Sequence, residues 1–113
     1  MSTEQLTEEV AFVTGASRGI GRAVLQALGR AGATVVGTAT SESGAAAITQ
    51  EIEAAGLRGS GRVLDVTQPE QLQAVLSAVE HEYATPTVLV NNAGITRDNL
   101  FMRMKEEEWD AVI

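Results

Sequence analysis

Apolar and polar positions alternate in blocks along the chain. Four short, nearly continuous apolar runs recur: Val10-Ala11-Phe12-Val13, Thr34-Val35-Val36-Gly37-Thr38, Arg62-Val63-Leu64-Asp65-Val66 and Thr87-Val88-Leu89-Val90-Asn91. Runs of this length, rich in β-branched residues, predict strands covered on both faces. Between them the apolar positions follow helical spacing. Ile20, Val24, Ala27, Leu28 and Ala31 predict a first helix, with Gly32 as its C-cap. Ala45, Ile48, Ile52 and Ala55 predict a second, capped by Ser41 or Ser43 and closed by Gly56. Thr67-Gln68-Pro69-Glu70 has the form of a capping box with proline near the first turn. It opens a third helix whose buried face is Leu72, Val75, Leu76, Val79 and Tyr83. Gly59-Ser60-Gly61 reads as a loop and Thr85-Pro86 as a breaker. Lys105 to Ile113 predicts a last helix with Trp109, Val112 and Ile113 on one side.

Strands that alternate with helices of this length imply parallel pairing through right-handed crossovers. The expected fold is therefore α/β, a Rossmann-type doubly wound parallel sheet with strand order 3-2-1-4, in one domain over residues 1–113. In such sheets ligands bind beyond the carboxyl ends of the strands, where the order reverses. That crevice lies between strands 1 and 4. The loops that would meet there are Thr14 to Gly21 and Asn91 to Asp98.

The first of these loops, Thr14-Gly15-Ala16-Ser17-Arg18-Gly19-Ile20-Gly21, stands between a strand and a helix. A side chain at Gly15 would hinder the sharp turn out of the strand. Gly19 leaves room for a pyrophosphate to approach the backbone, and Gly21 lets the first helical turn pack closely. The helix N-terminus then offers N–H groups and a positive dipole end to an anion. The combination predicts a dinucleotide-binding βαβ unit.

Composition narrows the setting. The chain has 113 residues, 44% hydrophobic and 20% charged, enough for one globular core. No apolar run approaches a membrane span, and Met1 to Glu9 lacks the pattern of a secretory signal. The absence of cysteine excludes disulfides and thiolate metal sites. A net charge of −7 disfavours nucleic acid and anionic membranes as partners. These features point to a cytoplasmic protein. The acids also avoid the glycine turn, since no carboxylate occurs between Val10 and Ser41. His81, between two glutamates, reads as a solvated surface residue, and Glu106-Glu107-Glu108 as an exposed acidic face. Neither suggests a metal site.

Coenzyme choice is decided at the end of strand 2. An NAD site usually places a carboxylate there for the ribose 2′-hydroxyl. Here Gly37-Thr38-Ala39-Thr40-Ser41 has none until Glu42. Thr40 supplies a hydroxyl and Arg18 a guanidinium, which suit a 2′-phosphate and favour NADPH. Asp65-Val66 ends the third strand, where a carboxylate can accept from the adenine amino group. Asn91-Asn92-Ala93-Gly94 ends the fourth, where two amides can tie neighbouring strands and face a ribose.

Taken together, Thr14-Gly15-x-x-x-Gly19-x-Gly21 and Asn91-Asn92-Ala93-Gly94 resemble the short-chain dehydrogenase/reductase superfamily. Gly37-Thr-Ala-Thr-Ser-Glu42, Asn92-Ala-Gly-Ile-Thr-Arg-Asp-Asn99, Met102-Arg-Met-Lys105 and Trp109 are similar to its bacterial 3-oxoacyl-[acyl-carrier-protein] reductases. The resemblance implies NADPH-dependent reduction of a 3-oxoacyl thioester on acyl carrier protein, in fatty-acid biosynthesis, by a homotetramer. By the same resemblance, Gly15, Ala16, Ser17, Arg18, Gly19, Ile20 and Gly21 form the diphosphate and 2′-phosphate turn. Thr40 contacts the 2′-phosphate, Asp65 and Val66 the adenine, and Asn92, Ala93 and Gly94 the coenzyme beyond strand 4.

That family works with an Asn, a Ser and a Tyr-x-x-x-Lys, the Tyr donating the proton and the Lys lowering its pKa. This chain has one tyrosine, Tyr83, and one lysine, Lys105, so it contains no such motif. The expectation is a cofactor-binding half without catalytic residues, a fragment inactive by itself, with strand 4 left as an unpaired edge and loose packing or poor solubility. Two alternatives stay open: a non-catalytic NADP-binding module, and a reductase of another ketone or alcohol.

Overall fold

The computed structural model describes residues 6, 8–92 and, for their backbone, 100–103. The elements run β1 (Val10–Val13), α1 (Gly19–Arg30), β2 (Thr34–Ala39), α2 (Glu42–Ala54), β3 (Gly59–Val63), α3 (Pro69–Glu82), β4 (Val88–Asn91) and β5 (Leu100–Arg103). They form one sheet in the order β3-β2-β1-β4-β5. The expected 3-2-1-4 order of parallel strands is present, with Val13 opposite Gly37 on one side and Val90 on the other.

Alternation along each strand divides the core into two layers. Ala11, Val13, Val35, Ala39, Val88 and Val90 meet Leu25 of α1 and Ile48 and Ile52 of α2. Val10, Phe12, Val36 and Leu89 meet Leu76 and Val79 of α3. Every residue of β1 and β2 is buried, which explains why these strands read as unbroken apolar runs. Helices α1 and α2 both end in a Schellman pattern. Gly32 and Ala33 donate to Gly29 and Leu28, and Gly56 and Leu57 donate to Glu53 and Ile52. The two glycines act as the sequence suggested, with φ of 105° and 70°.

Four expectations need correction. The third strand is Gly59–Val63, not Arg62 to Val66. Its glycines are not turn residues: α2 crosses so closely that a Cβ on Gly61 would strike the Ala45 carbonyl. Asp65 and Val66 therefore follow the strand instead of ending it. In α1 the buried line is Gly21, Leu25 and Gly29, while Ile20 is 64% exposed and Ala27 is also exposed. Glycine has no hydropathy signal, so a stripe built on it is invisible to periodicity. In α3 the N-cap is Gln68, without a side-chain capping bond. The Thr67 hydroxyl turns instead to Asp65 Oδ1, at 2.6 Å.

The fourth correction concerns β4. It is not an edge: β5 pairs with it antiparallel, Asn91 opposite Leu100 and Val88 opposite Arg103. Unpaired N–H and C=O groups on a buried apolar strand are costly, and a returning segment satisfies them. The helix expected over Lys105 to Ile113 lies outside the described residues. Among the described residues no helix is long and apolar enough to cross a membrane.

Candidate dinucleotide site

Parallel pairing brings the carboxyl ends of β1, β2, β3 and β4 to one side of the sheet, and the predicted site residues follow directly. Gly15 lies two residues past β1, Thr40 one past β2, Asp65 two past β3 and Asn92 one past β4. Four segments distant in sequence are thus assembled by the sheet alone.

The ends of β1 and β4 are stitched together by one hydroxyl. Thr14, 3% exposed, accepts from the Asn92 N–H at 2.9 Å. Its own proton lies between Asn91 Oδ1 at 3.2 Å and the Val90 carbonyl at 3.4 Å. The Asn92 side-chain amide donates to the Gly15 carbonyl at 3.1 Å. The two amides do tie neighbouring strands, as their types suggested. Thr14 as the centre of the stitch is legible only in retrospect, as a threonine placed where a buried strand meets a glycine turn.

The turn itself has left-handed backbone at Gly15 (φ 63°) and Gly19 (φ 66°), a region that side chains disfavour. A Cβ on Gly19 would meet nothing within 4 Å, so this glycine faces open space. Gly21 is the reverse. A Cβ there would collide with the Gly15 carbonyl and lie 2.8 Å from Asn92 Nδ2. Gly21 therefore lets α1 start directly under the stitched turn.

Helix α1 begins without a cap. Arg18 at the N-cap is extended and makes no side-chain capping bond, and the first turn holds no acidic residue. The leading N–H groups of a helix have no acceptor within it, and its N-terminus carries partial positive charge. Arg18, Gly19 and Ile20 are all exposed beside this pole. An apolar side chain as open as Ile20, next to uncapped N–H groups, suits contact with a molecule that is part anion and part ring.

Across the turn, Thr40 is exposed, and Ser41 caps α2 by accepting from the Gly44 N–H at 3.1 Å. Of the two serines offered by the sequence, Ser41 is the cap. Asp65 is committed in part to its own loop. Its Oδ1 accepts from the Thr67 N–H at 3.0 Å as well as from the hydroxyl. These bonds, the side-chain one foremost, hold its carboxyl below the usual value of 3.8. Val66 is half-buried against the α3 layer. Ala93 and Gly94 lie outside the described residues. His81 is exposed, as expected, and Tyr83 donates to Ser60 Oγ at 3.1 Å, well away from the turn. Among the described residues no group of three or more His, Cys, Asp or Glu is placed to hold a metal.

A second residue to which the sequence reading gives no role in the site is Thr38. It is 1% exposed, and it accepts from the Ala16 N–H through its carbonyl (2.9 Å) and from the Gly15 N–H through its hydroxyl (3.4 Å).

Comparison with known proteins agrees with this arrangement. The family model described as short chain dehydrogenase matches residues 9–113. The 3-oxoacyl-[acyl-carrier-protein] reductase FabG of Pseudomonas aeruginosa is 53% identical over 108 residues, covering 96% of this chain and 44% of that protein. The reductase of the same name from Vibrio cholerae is 56% identical over 108 residues, covering 96% and 43%. That of Escherichia coli is 53% identical over 105 residues, covering 93% and 42%. The chain thus spans less than half the length of these curated relatives. With the stitched glycine turn, the uncapped helix and a match running from residue 9 to residue 113, the chain belongs to the short-chain dehydrogenase family.

Proposed function

We propose that this chain is the coenzyme-binding half of an NADPH-dependent 3-oxoacyl-[acyl-carrier-protein] reductase of fatty-acid biosynthesis. One observation carries the reading: the N-terminus of α1 is open, uncapped and free of acid, and lies beside a glycine turn bonded to the end of β4. The chain leaves an anion's place unfilled by any side chain of its own first turn. The diphosphate of a dinucleotide has the charge and the width for it.

The residues fit that coenzyme. Ser17 and Gly19 would present backbone to the diphosphate, with no Cβ at Gly19 to obstruct it, on a base formed by Gly15 and Ala16, whose N–H groups are bonded to Thr38. Arg18 and Thr40 would take the 2′-phosphate, since a permanently charged guanidinium with a hydroxyl beside it favours a dianion over a hydroxyl group. Asp65 and Val66 would flank the adenine, and Asn92, Ala93 and Gly94 the coenzyme beyond β4. Ile20 and Gly21 complete the turn. When bound, NADPH supplies the hydride. The chain's own residues bind and orient it. The proton donor would be a Tyr-x-x-x-Lys tyrosine, which these 113 residues do not include. The substrate class, a 3-oxoacyl group on acyl carrier protein, comes from the names of the relatives at 51–56% identity. A cytoplasmic homotetramer is the assembly in keeping with the same resemblance.

The test is a titration of the chain with NADPH and with NADH, for wild type and Arg18→Ala. The expected outcome is a preference for NADPH and a loss confined to NADPH on substitution, on the order of 1–3 kcal/mol for a charge-assisted contact. Equal affinity for the two coenzymes, unchanged by the substitution, would refute the reading.

A further inference from the structure

The turn that would hold the diphosphate does not stand on β1 alone. It folds back over the last residues of β2. Ala16, 2% exposed, lies above Gly37, and a Cβ at position 37 would come within 2.7 Å of the Ala16 Cβ and 3.1 Å of Ile48 Cγ2. It would also approach Leu25 Cδ1 to 2.6 Å, but that is the tip of a flexible chain, whereas Ala16 Cβ is fixed to the turn. Gly37 therefore sets the height of the turn above the sheet. Its neighbour Thr38 sets the turn's orientation, accepting from the two consecutive amides of Gly15 and Ala16. Small residues continue the seat on the α2 side, where a Cβ on Gly44 would be 2.7 Å from Ala39 Cβ and 3.8 Å from Ser17 Cβ.

We infer that Gly37 and Thr38 are positioning residues for the glycine turn: they hold Gly15 and Ala16, and so set the height and angle at which the backbone that follows, from Ser17 to Ile20, can receive the diphosphate. Neither side chain faces the coenzyme, because Thr38 is buried and Gly37 has none. They act through Ala16 and Gly15. The inference rests on the functional reading above, which assigns the diphosphate to this turn. It also gives β2 two tasks. Its exposed continuation, Thr40, would meet the adenosine 2′-phosphate, while its buried residues place the turn that meets the diphosphate.

The two tasks make the test selective. The full chain is titrated with NADPH and with adenosine 2′-monophosphate, which carries the 2′-phosphate and no diphosphate, as wild type, Thr38→Val, Thr38→Ser and Gly37→Ala. Thr38→Val keeps the shape and leaves the Gly15 N–H without its acceptor, and Thr38→Ser restores that acceptor. The expected result is a weakening of NADPH by roughly three- to tenfold in Thr38→Val, recovery in Thr38→Ser, and a loss of roughly tenfold or more in Gly37→Ala. Affinity for adenosine 2′-monophosphate should hold in all of them. Amide hydrogen exchange at Gly15 should quicken in Thr38→Val and not in Thr38→Ser. If Gly37→Ala does not fold, the two Thr38 variants decide alone. Equal loss of both ligands would mean general disruption and would overturn the inference, as would NADPH affinity unchanged in Thr38→Val. A wild-type chain that binds no NADPH removes the functional reading and this inference with it.

Discussion

Helices α1 and α2 begin at the same side of the same sheet, each after a buried strand, yet their first turns are finished in opposite ways. At α2 the chain supplies its own partners: Ser41 accepts from the Gly44 N–H, and Glu42 sits in the first turn against the helix dipole. At α1 the N-cap is an arginine that bonds no N–H, and no acid follows it. A self-capped helix end has little left to offer a ligand. An uncapped one leaves N–H groups and positive potential to be satisfied by something outside the chain. Two neighbouring segments of similar geometry thus differ in whether the anion is built in, and that difference marks the candidate site.

The sharpest way to break the comparison is to remove the space in which α1 starts. Gly21→Ala forces a methyl into the Gly15 carbonyl, a backbone group that cannot step aside. A stability loss of about 2–3 kcal/mol is expected in denaturant titration, with NADPH binding abolished. Next comes conversion of α1 into a copy of α2. Arg18 is already extended, as an N-cap must be, so Arg18→Asp can cap the helix. It should lower NADPH affinity by roughly a hundredfold, about 2.7 kcal/mol, through charge reversal. Stability should at the same time rise by about 0.5–1 kcal/mol. Binding and stability moving in opposite directions is the signature of an end left open for a ligand.

The converse change is smaller. Ser41→Ala uncaps α2 and should cost about 1 kcal/mol in unfolding free energy, with NADPH affinity within about twofold of wild type. A large binding loss there would mean that the two helix starts are not functionally distinct. The smallest effect is at the third start. The Asp65 carboxyl is held below 3.8 by Thr67, so Thr67→Val should let it rise toward that value in a carboxyl NMR titration. The sign follows: a carboxyl with a lowered folded pKa contributes stability above its unfolded pKa. That contribution is lost as pH falls through the folded value, so the difference between variant and wild type should be fully present above the unfolded value and disappear below the folded one.

Much of this was legible in the chain. The apolar runs of β1, β2 and β4, the glycines closing α1 and α2, and the turn beginning at Gly15 all follow from local chemistry, because burial on both faces and positive φ leave marks in residue type. Where the reading slipped, the cause was contact with a distant neighbour. Gly59-Ser60-Gly61 looks like a loop because glycine usually is one, and it is a strand because α2 lies too close for anything larger. Ile20 fits a helical stripe by period, and is exposed because the face of α1 that meets the sheet runs through Gly21, Leu25 and Gly29. Thr67 fits a capping box, and Asp65 draws its hydroxyl away.

What the sequence by itself determined is the alternation of strand and helix, and a glycine turn free of acid at the first crossover. Those depend on periodicity and on backbone freedom, which act over a few residues. Only the tertiary structure decided that Thr14 bonds Asn92, seventy-eight positions away, that Thr38 and Gly37 carry the turn, and that β4 gains an antiparallel neighbour. Hydrogen bonds and steric limits of that kind arise when parallel pairing brings remote strand ends side by side, and no local pattern of residues records which ends will meet.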